Sequence, residues 1–434
     1  MSTLTFRLEG SLDALDDQLA VLFDRATSSD ASVREGVAAI VERVRGDGDA
    51  ALRALARELD GVELAALEVP RAARRAALDA LAPSLRRALE RAAANIATAH
   101  QAFMPAPVEV ETEPGVIVGR RADPLDAVGV YAPGGRAAYP SSVLMGVVPA
   151  RVAGVRSVIV CSPPRANGLP AGVVLAAAEL AGADRVFAIG GAGAVAAMAY
   201  GTESVPRVSR IVGPGNAWVA EAKVQVAGVV GIDSPAGPSE LLVIADGAAD
   251  PRAVAREVLA QAEHDPRAAA VVVATDGAAP AIATAIRDMV RAERRAAVIR
   301  EALAVRGAVL AAPSLDAAVA FADRYAPEHL LLAVRDPGAL LPCVRNAGTV
   351  FLGAPSSVAF GDYITGANHV LPTGQGARSY SGLSTLDFVR WTTYQRVTPE
   401  AAARLARDVT ALAEAEGLPA HASAARAWDG EATR

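Results

Sequence analysis

The sequence contains little of what marks disulfide-rich or membrane-spanning proteins. Among its 434 residues only Cys161 and Cys343 are cysteine, and they lie far apart in apolar stretches. This excludes a disulfide framework and a thiolate metal cage. The longest uncharged stretch, 186–202, is interrupted by glycines and is too short to cross a bilayer. The N-terminus lacks a charged segment followed by an apolar run, so we expect a soluble, cytoplasmic protein.

Lysine and aromatic residues are also scarce. Lys223 is the only lysine, the net charge is −6, and the arginines alternate with acids. We therefore expect neither nucleic acid nor an anionic membrane as the main partner. Aromatic residues make up 4% of the chain, whereas alanine and valine dominate. This composition is typical of alanine-rich helices packed on valine-rich strands.

The hydrophobic period divides the chain into regions. Spacings of three and four residues predict a helix that begins near Asp30 or Ser32, and two more helices around 50–58 and 71–103. Short Val/Ile runs then alternate with helical patterns, which predicts parallel α/β sheets. The predicted strands are 128–131, 158–161, 186–189, 210–212, 241–245, 270–274, 309–311, 330–334 and 350–352. Because these are too many for one nucleotide-binding half, we predict two α/β blocks, followed by a helical tail from Thr398.

The five histidines are the clearest functional signal. His264, His329, His369 and His421 lie in polar or glycine-flanked clusters, whereas His100 lies in a plain helical pattern. Imidazole ligates metals and transfers protons near neutral pH. His369 falls in a stretch of about thirty residues, 353–382, that is rich in Gly, Pro, Ser and Thr. A loop of this length within a compact domain is usually functional or disordered, and we favour function here.

Two of these clusters have the spacing of ligands or acid–base groups. Gln261 and His264 share one face of a helix and could reach one metal ion, but they also fit an ordinary polar helix end before Pro266. Glu328 and His329 open an apolar strand, where they could divide water activation and proton transfer. That function requires an irregular backbone, since neighbouring side chains on a strand point to opposite faces. The alternative is a solvated strand edge.

Other candidates are less specific. Asp362, between glycines, could complete a nitrogen/oxygen zinc site, or be a turn aspartate. Glycine-rich turns follow three predicted strands, at 131–135, 191–196 and 213–216, and indicate a crevice for a phosphate-bearing or planar ligand. Lys223 could form a Schiff base, but a surface or interface position is the favoured interpretation.

The assembled motifs closely resemble those of the histidinol dehydrogenase family over nearly the whole chain. They are VYAPGG at 130–135, YPSSVLM at 139–145, VGPGN at 212–216, AGPSE at 236–240, QAEHDP at 261–266, APEHL at 326–330, GDY at 361–363 and NHVLPT at 368–373.

The resemblance implies two incomplete, doubly wound, Rossmann-like parallel sheets with a helical N-terminal arm and a helical C-terminal tail. It implies an arm at 1–26 and a zinc and substrate domain at 27–129 and 239–382. An NAD-binding domain at 130–238 would be inserted into it. The segment 383–434 would contact the partner subunit of a homodimer.

The resemblance also assigns roles to residues. The zinc ligands would be Gln261, His264, Asp362 and His421, with Glu328 and His329 as the acid–base pair. Substrate would contact the four zinc ligands, His329, and also Ser239, His369 and Glu416. NAD would contact Tyr131 and Asn216. Glu416 and His421 would act across the dimer interface.

The implied reaction is the oxidation of L-histidinol to L-histidine through histidinaldehyde, with two NAD⁺ used in turn. His329 would take the alcohol proton, and Glu328 would activate water. The chain departs from the family at Gly193, where Gln is usual, at Gly146, where Asn is common, and at 390–394. Three alternatives remain open: a related dehydrogenase for another small polar alcohol, a catalytically silent binding homologue, and a zinc hydrolase.

Overall fold

The computed structural model describes residues 4–25, 31–134 and 138–429. Asp30, a predicted helix cap, and Gly135 of the first glycine motif lie outside these residues. Within the described part of the chain, no helix is long and apolar enough to span a membrane.

Between residues 127 and 352 the strands and helices alternate as the sequence predicts, with one additional short strand at 231–232. The strands are β1 (Leu8–Ser11), β2 (Val108–Glu113), β3 (Val116–Pro124), β4 (Ala127–Tyr131), β5 (Ser157–Cys161), β6 (Arg185–Phe187), β7 (Arg210–Val212), β8 (Gly231–Ile232), β9 (Glu240–Ala245), β10 (Ala269–Ala274), β11 (Gly307–Ala311), β12 (His329–Ala333), β13 (Thr349–Leu352) and β14 (Val389–Val397). The helices are α1 (Ala20–Phe23), α2 (Ala31–Leu55), α3 (Arg71–Asp79), α4 (Pro83–Ala102), α5 (Pro140–Val152), α6 (Gly172–Ala181), α7 (Gly191–Tyr200), α8 (Ala217–Val226), α9 (Pro251–Ala262), α10 (Ala279–Met289), α11 (Ala296–Arg306), α12 (Leu315–Tyr325), α13 (Pro337–Leu340), α14 (Val358–Tyr363), α15 (Pro399–Ala415) and α16 (Pro419–Arg426).

The two parallel sheets have the same strand order, apart from the additional edge strand β1 in the first. The first sheet is ordered β1-β11-β10-β9-β12-β13, and the second β6-β5-β4-β7-β8. From β9 in the first sheet and from β4 in the second, the chain adds two strands on one side and then two strands on the other. The order therefore reverses between β9 and β12 in the first sheet, and between β4 and β7 in the second. The predicted α/β class with two doubly wound parallel sheets is confirmed, and all nine predicted strands are present.

The first sheet is covered on both faces, as a parallel sheet requires. Alternate residues of its central strands point to opposite sides. Leu241 and Val243 pack with α9, α10 and α11. Leu242 and Ile244 pack with α12 on the other side. Since every residue of β9 is buried, the runs of Val, Leu and Ala have no solvent-facing positions, and their sequence lacks polar alternation.

The chain forms two compact units. One comprises Met1–Phe103 and Leu125–Phe388 and contains both parallel sheets; the other comprises Met104–Pro124 and Val389–Arg434. The second unit contains an antiparallel sheet, ordered β14-β3-β2, together with α15 and α16. This sheet was not predicted, and the predicted tail begins with β14 before it becomes helical. The N-terminal arm likewise contains β1, which pairs with β11.

The helices of the N-terminal third pack on the second sheet's layer. Helix α2 contacts α7 and α8, α3 contacts α6, and α4 contacts α5. The predicted grouping placed 27–129 with the first sheet instead. The domain boundaries remain a prediction, and these contacts favour assigning α2, α3 and α4 to the second sheet.

Candidate active site

Glu328 and His329 lie at the amino end of the first sheet, beside its switch point. Helix α12 ends at Ala326, whose φ of 49° is left-handed. The chain then passes through Pro327 and Glu328 into β12, of which His329 is the first residue. This irregular entry lets both side chains approach the same place: Glu328 Oε2 lies 3.4 Å from His329 Nδ1. Both side chains are buried.

The carboxylate of Glu328 is fixed from the neighbouring strand. Its Oε2 accepts a hydrogen bond from Ser239 Oγ at 2.6 Å and another from the backbone N–H of Glu240 at 2.7 Å. Ser239 directly precedes β9, and Glu240 is its first residue. A buried carboxylate requires such partners, because an unpaired buried charge is costly.

His329 has a defined tautomer. Its Nδ1 lies 2.9 Å from the carbonyl oxygen of Glu240, which can only accept, so Nδ1 carries a hydrogen. Its Nε2 lies 3.5 Å from Asp362 Oδ1. Burial disfavours the charged imidazole, but the negative charge of Glu328 and the hydrogen bond to Asp362 outweigh it, so the pKa of His329 lies well above its ordinary value.

The glycine-rich stretch brings Asp362 and His369 to the same place. Asp362 lies in the short helix α14, and its backbone carbonyl accepts a hydrogen bond from His369 Nδ1 at 3.0 Å. The Nε2 of His369 faces Ser142 Oγ at 3.3 Å, so His369 lies between the two parallel sheets. Burial lowers the pKa of His369. Burial alone would raise the pKa of Asp362. The hydrogen bond from His329 and the charge of its ring outweigh this effect, so the pKa of Asp362 lies below its ordinary value.

Gln261 and His264 lie near this cluster. Gln261 is in the last turn of α9 and is 4% exposed, yet its Nε2 has no hydrogen-bond partner among the described residues. His264 follows the helix end and is exposed. Its charge contributes to the lowered pKa of Asp362, so the two side chains are within electrostatic reach.

Three of the four predicted zinc ligands, Gln261, His264 and Asp362, belong to the unit that contains the parallel sheets. The buried amide of Gln261, which has no partner for its Nε2, and the carboxylate of Asp362 within electrostatic reach of His264 are oxygen and nitrogen donors of the kind that a divalent cation takes. The described residues contain no group of three or more His, Cys, Asp or Glu arranged to hold a metal by themselves. The fourth predicted ligand, His421, lies in α16 of the second unit, and Glu416 ends α15. Both are exposed.

The predicted cofactor residues lie at the switch point of the second sheet. Tyr131 ends β4, and Asn216 follows β7. Asn216 caps α8, since its Oδ1 accepts hydrogen bonds from the backbone N–H groups of Trp218 and Val219. The hydroxyl of Tyr131 accepts from the N–H of Gly191 at 3.1 Å. Burial raises the pKa of Tyr131 to about 12.

This edge has the features of a dinucleotide site. In doubly wound sheets, ligands bind outside the carboxyl ends of the strands at the switch point. Helix α7 begins there after Gly190 and has no side-chain cap; the N–H of Gly191 donates to Tyr131, and the N–H groups of the next two residues also belong to this first turn, where a phosphate is favoured. Gly193 lies in the first turn of α7, and a Cβ there would lie 3.1 Å from Leu55. The residues present fit the nucleotide, with one polar side chain fewer than the family pattern.

Some residues of the site had no predicted role. Glu240 orients both members of the acid–base pair through its backbone, and its carboxylate forms a buried ion pair with Arg25. Ser142 contacts His369. Both lie in motifs that carried the family resemblance, but a contact between distant segments leaves no local signal. The surface interpretation of Lys223 was wrong: its side chain is buried and pairs with Asp233.

Comparisons with known proteins agree with these motifs. The sequence model for histidinol dehydrogenase matches residues 23–428. Histidinol dehydrogenase from Methanosarcina barkeri is 45% identical over 416 residues, which cover 95% of this chain and 96% of that protein. The Halobacterium salinarum protein of the same name is 51% identical over 417 residues, which cover 96% of this chain and 97% of that protein. The crystal structure of histidinol dehydrogenase from Elizabethkingia anophelis superposes with a TM-score of 0.93 at 32% identity, covering 99% of this chain and 100% of that one. The chain therefore belongs to the histidinol dehydrogenase family of oxidoreductases.

Proposed function

We propose that the chain catalyses the NAD-dependent, zinc-dependent oxidation of L-histidinol to L-histidine, through histidinaldehyde, as the last steps of histidine biosynthesis. The observation that carries the proposal is the buried pair Glu328–His329, held by Ser239 and Glu240 beside Asp362. A protein that only binds a ligand does not need two acid–base groups at this distance. A hydrolase does not need the second sheet's glycine-rich edge.

The tautomer of His329 assigns the first proton transfer. His329 acts as a base only in its neutral form. In that form the hydrogen is on Nδ1, which donates to the carbonyl of Glu240, so Nε2 is the nitrogen that accepts the proton of the substrate alcohol. The alcohol loses that proton and a hydride, so the carbinol becomes the aldehyde and one NAD⁺ becomes NADH. Asp362 lies beside Nε2 and stabilises the imidazolium that forms.

The second oxidation requires water. Glu328 is the carboxylate that would take a proton from water as it adds to the aldehyde carbon, giving the hydrate. Loss of a second hydride to a second NAD⁺ then yields the carboxylate. The hydrogen bonds from Ser239 and Glu240 hold the carboxylate in place for this step.

The two bound groups supply what the side chains cannot. A zinc ion on Gln261, His264, Asp362 and His421 would supply a Lewis acid that binds the substrate's nitrogens and fixes its carbinol. NAD at Tyr131 and Asn216 would accept the hydride. His369 and Glu416 would contact the substrate, and exclusion of water at the buried pair favours proton transfer within the site.

We also propose that the second unit donates Glu416 and His421 to a partner copy in a cytoplasmic homodimer. Mixing the inactive variants His329→Ala and His421→Ala tests this. If the sites are shared, each mixed dimer has one site with both defects and one intact site, so activity returns to about a quarter of the wild-type value when subunits exchange freely. If each chain completes its own site, the mixture stays inactive.

The reaction itself is tested with zinc-loaded protein, NAD⁺ and L-histidinol. We expect two NADH per histidine formed. NADH from another polyol, but none from histidinol, would assign the chain to a related dehydrogenase. The variant His329→Ala should lower turnover and keep its zinc; loss of zinc instead would mean that His329 is a ligand.

A further inference from the structure

Gly213 has an unusual position at the carboxyl end of β7. The ladder with β4 ends at Val212, and the ladder with β8 ends at Ile211. The N–H and C=O of Gly213 therefore have no strand partner, although the residue is buried. Its φ of 116° suits glycine only, and a Cβ there would lie 2.2 Å from the carbonyl oxygen of Tyr131. Buried backbone groups that no strand satisfies need another partner.

A buried ion pair supplies both partners. Asp233 Oδ2 accepts a hydrogen bond from the N–H of Gly213 at 2.7 Å. Lys223 Nζ donates to the C=O of Gly213 at 3.1 Å, and it also pairs with Asp233 Oδ1. The side chains of Lys223 and Asp233 are 2% and 4% exposed. Taking two charges out of water is unfavourable unless further hydrogen bonds satisfy them, and Gly213 provides these.

The pair connects helix α8 back to the start of the turn at 213–216. From Gly213 the chain runs through Pro214 and Gly215 to Asn216, which caps α8. Lys223 lies about two turns further along α8, on the same face as Asn216, and returns to Gly213. The turn therefore begins at Gly213 and ends at the helix whose Lys223 binds Gly213, so both of its ends are held in place by the same hydrogen bond. Asp233 itself begins the segment that leads to Ser239, and its N–H binds the carbonyl of Ile211.

We propose that Lys223 and Asp233 form a positioning pair, which holds the 213–216 turn in the conformation that binds the dinucleotide. The inference rests on the proposed binding of NAD at Tyr131 and Asn216. The pair touches neither substrate nor cofactor. Its role is to hold Gly213 against Tyr131, so that the distance between Tyr131 and Asn216 across the switch point stays constant.

The test uses a variant that removes both charges together, Lys223→Met with Asp233→Asn. The substitutions nearly conserve volume and leave no unpaired buried charge, while the Asn amide oxygen can still accept from Gly213. Titration calorimetry with NAD⁺ alone, without histidinol, should show a dissociation constant raised about tenfold, which corresponds to about 1.4 kcal/mol. The KM for NAD⁺ should rise by a similar factor, while kcat and the KM for histidinol stay within about threefold.

A matched control separates positioning from general loss of stability. Val226→Ala opens a cavity in the same helix without touching Gly213, since Val226 is fully buried. It should lower the melting temperature and leave NAD⁺ binding unchanged. If the double variant does not fold, Lys223→Met alone replaces it, because the buried Asp233 can take up a proton and still accept from Gly213; the expected effect is about threefold.

Two results overturn the inference in distinguishable ways. If wild-type protein binds NAD⁺ and the charge-free variant binds it within twofold, the pair only stabilises the fold. If wild-type protein does not bind NAD⁺ at all, the proposed cofactor is wrong, and the inference is wrong with it.

Discussion

His100, the histidine in the plain helical pattern, should control how stability depends on pH. It lies in the last turn of α4, is 1% exposed, and neither ring nitrogen has a hydrogen-bond partner among the described residues. Its ring packs edge-on against Phe103 at 5.5 Å. Burial lowers the pKa of the imidazole from 6.5 to about 4, and no charged group contributes. The folded protein therefore keeps His100 neutral.

The sign and size of the effect follow from linkage. Between pH 4 and 6.5 the unfolded chain binds a proton at His100 that the folded chain does not, so stability rises with pH in this window. The contribution is present in full above pH 6.5 and is lost as pH falls towards 4. Each unit of pKa difference is worth about 1.4 kcal/mol, so acidification to pH 4 costs about 3 kcal/mol. That is a large fraction of the stability of a typical protein, about 5–15 kcal/mol.

The assay compares wild type with His100→Leu, which has a similar volume and cannot be protonated. Urea unfolding, followed by circular dichroism at pH 7.5, 5.5 and 4.5, gives the difference between the two proteins, in which the other titrating groups cancel. The difference should shift by about 2.5 kcal/mol in favour of the variant between pH 7.5 and 4.5. Leu89→Ala, a buried change in the same helix, should destabilise equally at each pH. Parallel pH profiles for wild type and His100→Leu would refute the reasoning.

Three further predictions concern the site. Glu328→Gln should lower kcat about a hundredfold or more with little change in melting temperature, because the amide oxygen can still accept from Ser239; a kcat within threefold of wild type would contradict the acid–base role. Gly213→Ala should destabilise by about 3 kcal/mol or more, since its Cβ would meet the Tyr131 carbonyl, whereas Gly191→Ala, with φ of 60° and open space around its Cβ, should cost only about 1 kcal/mol in thermal unfolding. Removal of metal by a chelator should abolish NADH formation, and zinc should restore it; full activity in protein shown by atomic absorption to be metal-free would rule out the zinc centre.

Nine of the eleven strands of the parallel sheets were predictable, because the local sequence shows that they are buried; the edge strands β1 and β8 were not predicted. Each of the nine is a short run rich in Val, Leu, Ile or Ala, and the observed bounds differ from the prediction by at most two residues at either end. Strand β14 has the signal of a strand in Trp391, Thr392, Thr393 and Tyr394, but its partner β3 lies far away in sequence. Strand β2 does alternate, with Val108, Val110 and Thr112 between glutamates, but all its residues are exposed and the prediction overlooked this pattern. The third sheet therefore escaped prediction.

The candidate site was likewise predictable only in part. Local motifs indicated Glu328 and His329, and the left-handed Ala326 is the irregular backbone that their joint function required. No local pattern indicated that Glu240, on a different strand, orients both of them. The same holds for Lys223. Its sequence context resembles that of any helical lysine, and only the fold brings Asp233 and Gly213 to its ammonium group.

The sequence by itself determined the central strands of the two parallel sheets, the family, and the residue types available for chemistry, because hydrophobic period and motif spacing are properties of neighbouring residues. Tertiary structure alone decided which polar groups meet, since those contacts join strands that the chain visits at different times. It decided the tautomer of His329, the burial of His100 and Lys223, and the placing of Asp362 beside the base. These are effects of burial and electrostatics, and they depend on what surrounds a side chain in space.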